Sequence, residues 1–126
     1  MAVWQFMDFV TKEERSPFAK WLQEQELEAQ AFIDARILQM AGMEKWPPKW
    51  TGDYKGHPDL IELRITHRKV PYRPLGCYGL IRREFLLLAG AIEQNGRIPE
   101  GILDSAMTRM NLAKADRSHL REHQFN

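Results

Sequence analysis

Seven basic side chains crowd one stretch of this sequence: Arg64, Arg68, Lys69, Arg73, Arg82, Arg83 and Arg97 fall within 34 residues. Tyr72 and Tyr78 are interleaved with them, and the segment before them adds Lys49, Trp50, Tyr54, Lys55 and His57. A guanidinium is a permanent planar cation that meets phosphate oxygens in pairs, while an aromatic ring stacks on an unpaired base. The mixture suits single-stranded RNA. The same residues have a plainer reading, in which Tyr72 packs in the core, Arg82 and Arg83 flank a turn, and Arg64 pairs with Glu62 or Glu84. The size of the cluster favours function.

The charge distribution agrees. Residues 1–60 carry 7 Lys/Arg against 10 Asp/Glu, a balance of −3, and residues 61–126 carry 11 against 7, a balance of +4, giving the net +1. The second half is also rich in arginine, with 9 Arg and 2 Lys, where the first has 2 Arg and 5 Lys. An arginine-rich half on a nearly neutral protein points to one local anion-binding face. Other chemistries find less support. His119 and His123 stand at i, i+4, but a zinc site needs a third ligand on a rigid element, and a polar chain end seldom supplies one. No metal and no cofactor is expected. The sequence contains no G-x-S-x-G, P-loop or G-x-G-x-x-G motif. Cys77 is the single cysteine, so no internal disulfide forms, and between Gly76 and Gly79 it reads as a small packed residue.

The elements that must position these groups follow from periodicity. Its 126 residues suffice for one domain, read as residues 3–112 followed by a polar tail at 113–126. Residues 3–10 read as a short strand. Ser16-Pro17 is a helix start, with Ser as N-cap and Pro at the first helical position. Apolar spacing then gives a helical hairpin ending near Gly42. Residues 44–59 hold Pro47-Pro48, Gly52 and Gly56 and read as an irregular loop. Strands are predicted at 60–67, at 70–78 (with a bulge or an edge position demanded by Pro74) and at 83–91, the last apolar enough to be central. Gln94-Asn95-Gly96 is a turn, and 99–112 a final helix. Trp21, Ile33, Ile37, Leu63, Phe85 and Leu87 are expected to be buried. The fold class is α+β: N-terminal strand, helical hairpin, small antiparallel sheet and C-terminal helix, with the helices on one side and a bare face carrying Arg64. The longest apolar run, Phe85 to Ala89, has five residues against the ~20 that span a bilayer. With no signal-peptide pattern at Met1 to Phe6, a cytoplasmic location is expected and membrane association is not.

Three segments carry a family resemblance: Leu60-Ile61-Glu62-Leu63-Arg64, Pro71-Tyr72-Arg73-Pro74-Leu75-Gly76-Cys77-Tyr78, and Glu84-Phe85-Leu86-Leu87-Leu88-Ala89-Gly90-Ala91. In order and spacing they resemble the core strands of the RelE/ParE toxin superfamily, nearest its phage-derived HigB-like branch, and the helix pair and Lys55-Gly56 match that layout. The resemblance implies a RelE-like microbial ribonuclease fold and the toxin half of a type II toxin–antitoxin pair. The implied activity is that of an mRNA interferase, an endoribonuclease acting on message in the ribosome by attack of a ribose 2′-OH on the adjacent phosphate. Its implied partners are ribosome-bound mRNA and a helix-turn-helix antitoxin, with a homodimer also allowed. Arg64 and Arg73 match the motif positions that would bind phosphate and stabilise the transition state. Lys55, Arg68, Arg82 and Arg97 would support RNA binding, Tyr72 or Tyr78 would stack or assist proton transfer, and His57 or Glu93 would be the general base. Where relatives carry paired lysines after the third strand, this chain reads Ile92-Glu93-Gln94-Asn95-Gly96-Arg97. The alternative is a non-catalytic ParE-like or phage-derived binding protein that inhibits a protein target. As exposed charges, Arg64 and Arg73 should each cost no more than about 1 kcal/mol on truncation to Ala.

Overall fold

A computed structural model describes residues 2–125. The chain runs β1 (Gln5–Phe9), α1 (Pro17–Gln23), α2 (Leu27–Ala41), a 3-10 turn (Pro48–Trp50), β2 (Thr51–Asp53), β3 (Ile61–Leu63), β4 (Ile65–His67), β5 (Val70–Tyr78), β6 (Glu84–Ile92), α3 (Glu100–Ala115), a second 3-10 turn (Arg117–His119) and β7 (Leu120–Glu122). The fold is α+β. Strand order is β2-β3-β5-β6-β1-β7, with β4 also on β5. All pairings are antiparallel except that of β1 with β6.

The helical hairpin forms where Ser16 and Pro17 start it, with the Ser16 Oγ accepting from the Ala19 N–H at 3.0 Å. No Gly or Pro separates α1 from α2. Side-chain amides make the break instead: Gln25 donates to the Trp21 carbonyl at 2.9 Å, and Gln30 donates to the Gln25 carbonyl at 2.8 Å. Carbonyls at a helix end have no intrahelical partner, so these amides stabilise a stop that sequence pattern does not show.

The predicted bare face does not exist. The alternation of β6 sends Phe85 and Leu87 to a core under α1 and α2, and Leu86 and Leu88 to a second core under α3. The helical hairpin and the final helix therefore cover opposite faces. Ile33, Ile37, Leu63, Phe85 and Leu87 are fully buried, while Trp21 is half-buried. Residues 44–59 hold a 3-10 turn and the edge strand β2, although the loop reading allowed no regular element.

The predicted strand at 60–67 is two strands, broken at Arg64. In β5 the Pro71 carbonyl accepts from Glu93 at 3.0 Å, so Pro71 faces β6 and, by alternation, Pro74 faces the β3/β4 edge. Proline has no N–H to donate there. Pairing of β3 with β5 covers Ile61 and Glu62 and pairing of β4 resumes in the same register at Ile65, while on the opposite edge the Arg64 N–H continues the β2–β3 ladder to the Trp50 carbonyl at 2.7 Å. The bulge expected of Pro74 lies one residue on, between Leu75 and Gly76.

The polar tail is part of the sheet. β7 pairs antiparallel with β1, and the next residue, His123, is buried between two carboxylates: its Nδ1 is 2.9 Å from Asp8 and its Nε2 3.0 Å from Asp34. Burial alone would push the imidazole down, but hydrogen bonds to Asp34 and Asp8 and their charge overcome it and raise the pKa to about 9. Its ordinary value is 6.5, so the stabilisation is complete below about 6.5 and is lost as pH climbs through about 9. Urea melts should show wild-type stability falling from pH 6.5 to 9.5. His123→Ala should be destabilised by roughly 3–5 kcal/mol at pH 6, because it leaves Asp8 and Asp34 buried without their cation, and should lose most of that slope.

Candidate functional site: a mixed-charge cleft at the strand break

Where β3 breaks, Arg64 and Arg73 come together on the α3 side of the sheet. Glu62, 5% exposed, is their common partner. Its carboxylate lies 2.6 Å from Arg64 Nε and 3.8 Å from Arg73 Nε, and it accepts a short hydrogen bond from the Tyr54 hydroxyl. Arg73 Nε also reaches Glu93 at 3.3 Å, and its Nη1 donates to the Tyr72 carbonyl at 3.2 Å. The Glu62 hydrogen bond raises the Arg64 pKa, so that guanidinium stays charged throughout. Burial and then the bond to Glu62 push the Tyr54 phenol far above its ordinary value, which leaves it a donor and never a base.

Gly52 on β2 lets this arrangement form, because a Cβ there would collide with the Arg64 guanidinium, which lies across the backbone. On the other wall, Asn95 and Gly96 adopt positive φ of 51° and 73°, and the tight turn brings Gln94 and Arg97 into a bridge. Asn-Gly tolerates that left-handed backbone.

The result is an open cleft of about 1020 Å³ whose charged lining is Asp53, Glu62, Glu93 and Glu100 against Lys55, Arg64 and Arg97, with His57 at one side. Of the sequence-predicted residues, Lys55, His57, Arg64, Glu93 and Arg97 line it and Arg73 stands behind. The others lie elsewhere. Tyr72 is buried on the opposite face, edge-on to Trp21, so it neither stacks on a base in the cleft nor moves a proton there. Arg68 sits in the β4–β5 turn with φ 49°, paired with Glu28 at 2.9 Å. Tyr78 packs against Trp4, Trp46 and Phe85, and Arg82 belongs to the β5–β6 loop. The plainer reading holds for Tyr72 and for Arg64, which pairs with Glu62; Glu84 is taken by Arg117 at 2.7 Å. Cys77 is buried, and burial pushes its thiol up to about 11, in keeping with packing rather than nucleophilic chemistry.

Sequence reasoning puts Tyr54 in the basic-aromatic cluster without a role and takes Glu62 only as a candidate partner of Arg64, not as a site member. The signal for Glu62 was its place two residues before Arg64, on the same strand face. His57 Nε2 lies 3.2 Å from Glu100 and 3.3 Å from Asp104, and these three ligand atoms, within 4.8 Å of one another, are the described residues able to chelate a cation. No family model matches the chain, and neither a curated protein nor a solved structure is similar enough to register a match.

The two arginines differ in exposure, and this overturns their equal treatment. The Arg64 side chain is 45% exposed and Arg73 10%. Arg64→Ala should cost about 1 kcal/mol or less. Arg73→Ala removes the Glu93 pair and the more distant of the two guanidinium partners of Glu62, which keeps Arg64 and Tyr54, and should cost roughly 1–3 kcal/mol. Chemical denaturation of both variants at pH 7 checks the difference. Gly52→Ala should leave stability within about 1 kcal/mol but displace Arg64, which a lost Arg64–Glu62 contact in a crystal structure of the variant would show.

Proposed function

We propose that the cleft is a metal-independent ribonuclease site and that the protein is the toxin half of a toxin–antitoxin pair, cleaving message on the ribosome. The supporting observation is that a half-exposed guanidinium (Arg64), a carboxylate (Glu93) and an imidazole (His57) line the same open cleft. Cleavage of RNA by its own 2′-OH needs three services: removal of the 2′ proton, stabilisation of charge on the pentacoordinate phosphorus, and protonation of the departing 5′-oxygen. Glu93 takes the 2′ proton as the 2′-oxygen bonds to phosphorus. Arg64 and Arg97 hold the phosphoryl oxygens. The bond from phosphorus to the 5′-oxygen breaks, His57 gives that oxygen a proton, and a 2′,3′-cyclic phosphate remains. When Arg64 swings to phosphate, Glu62 keeps Tyr54 and Arg73 as partners, so the carboxylate is never stranded.

A second reading has its own support. The carboxylates of Asp53, Glu62, Glu93 and Glu100 line the cleft beside its cations, and such alternation also suits a non-catalytic grip on a protein target. A translating cell-free extract separates the two. Primer extension should find new message ends only when ribosomes translate, with cyclic-phosphate termini. Arg64→Ala and Glu93→Gln should each lower the yield by about 10²-fold or more, the usual effect of losing one transition-state charge or base. Intact message at equimolar toxin and ribosome, with growth arrest retained, would select the non-catalytic reading.

A further inference from the structure

Away from the cleft, apolar side chains gather at the β5–β6 loop end of the molecule. Among the described residues seven large hydrophobic side chains are exposed, and five of them line two grooves: Tyr78, Leu80 and Ile81 one of about 400 Å³, Leu38 and Phe125 another of about 340 Å³. Trp4, Arg82 and Arg83 line both, so the grooves share a wall. Leu80 is 66% exposed and Ile81 54%, though the loop that carries them is closed by the Gly79 N–H on the Glu84 carbonyl at 2.8 Å. Aliphatic side chains offered to water on a short closed loop mark a docking surface. The floor is aromatic: Trp4 is 4.6 Å from Trp46 and 5.6 Å from Tyr78, ring centre to ring centre.

The electrostatics specify what would sit there. The Arg83 Nη1 is buried without a hydrogen-bond partner, a cost that a shift of this partly exposed side chain onto an incoming acceptor would relieve. Arg82 makes no ion pair among the described residues. Of the two side-chain carboxylates along the grooves among the described residues, Glu84 is occupied by Arg117 through two hydrogen bonds, which leaves Glu122 facing two arginines. We propose that these joined grooves bind a segment of a protein partner that presents apolar side chains flanked by Asp or Glu. The apolar side chains fill the grooves beside Leu80, Ile81 and Leu38, and a carboxylate satisfies Arg83. Aromatic and arginine anchors around a buried centre are the composition of energetic hot spots. None of the cleft residues lines these grooves, so docking and cleavage stand or fall separately.

The test is selection from a displayed library of random 12-residue peptides on the wild-type chain, followed by calorimetry with the synthesised winners. Apolar peptides carrying Asp or Glu should be enriched. Their affinity should fall tenfold or more for the Leu80→Ser/Ile81→Ser variant and, separately, for Arg83→Gln. Both variants should keep the wild-type circular dichroism and melting temperature, and the Ser/Ser variant should cleave message as wild type does if the ribonuclease reading holds. Failure to enrich any peptide would overturn the proposal. So would winners rich in Lys or Arg, or winners whose binding ignores both variants. A dimer in solution that the Ser/Ser variant dissociates would make the occupant a second copy instead, and displacement of the peptides by a single-stranded RNA oligonucleotide would make it nucleic acid.

Discussion

A missing N–H interrupts the sheet beside the cleft. Pro74 faces β3 and β4 with nothing to donate, so the strand that would run unbroken along β5 leaves the ladder at Arg64. On its other edge the strand stays paired: the Arg64 N–H donates to Trp50, just before β2, in continuation of the β2–β3 register, and Arg36 donates to the Arg64 carbonyl at 3.2 Å. The Arg64 side chain lies across Gly52 and onto Glu62, which stands two residues back on the same strand face. Arg73, the residue before the proline, arrives at the same carboxylate from β5. Neighbouring positions on one face of β3 and β5 thus bring two guanidinium groups, a phenol and two carboxylates to a single place.

Two charge networks serve different ends. At His123 the charges are sealed: one imidazole, 2% exposed, joins a strand, a helix and the chain's last turn. At Glu62 the carboxylate is sealed, but its partner Arg64 opens to solvent. A buried acid with a half-exposed base can give up that base to an incoming anion, because solvent and the remaining partners hold both charges during the exchange. The closed network is suited to holding the C-terminal strand in register, the open one to binding.

Much of this was legible along the chain. Ser16-Pro17, Asn95-Gly96, the limits of β5 and the apolar run of β6 are set by interactions within a few residues, so caps, turns and periodicity disclose them. The plainer pairing of Arg64 with Glu62 was visible in their spacing, although nothing local told whether it would lie in a cleft or on a flat face.

Tertiary structure decided the rest, because it depends on partners far apart in sequence. Tyr72 reads the same on either face of a strand until α1 and α2 claim its side. The covering of the second face by α3 rests on the packing of Leu103, Ala106 and Met110 against Leu75, Leu86 and Leu88, and no local pattern encodes it. The polar residues after α3 looked loose because their reason for order, the carboxylates of Asp8 and Asp34, lies 115 and 89 residues away. Sequence alone determined which groups exist and which strand faces they occupy; packing over long separations determined which of those groups meet, and which remain open to a ligand.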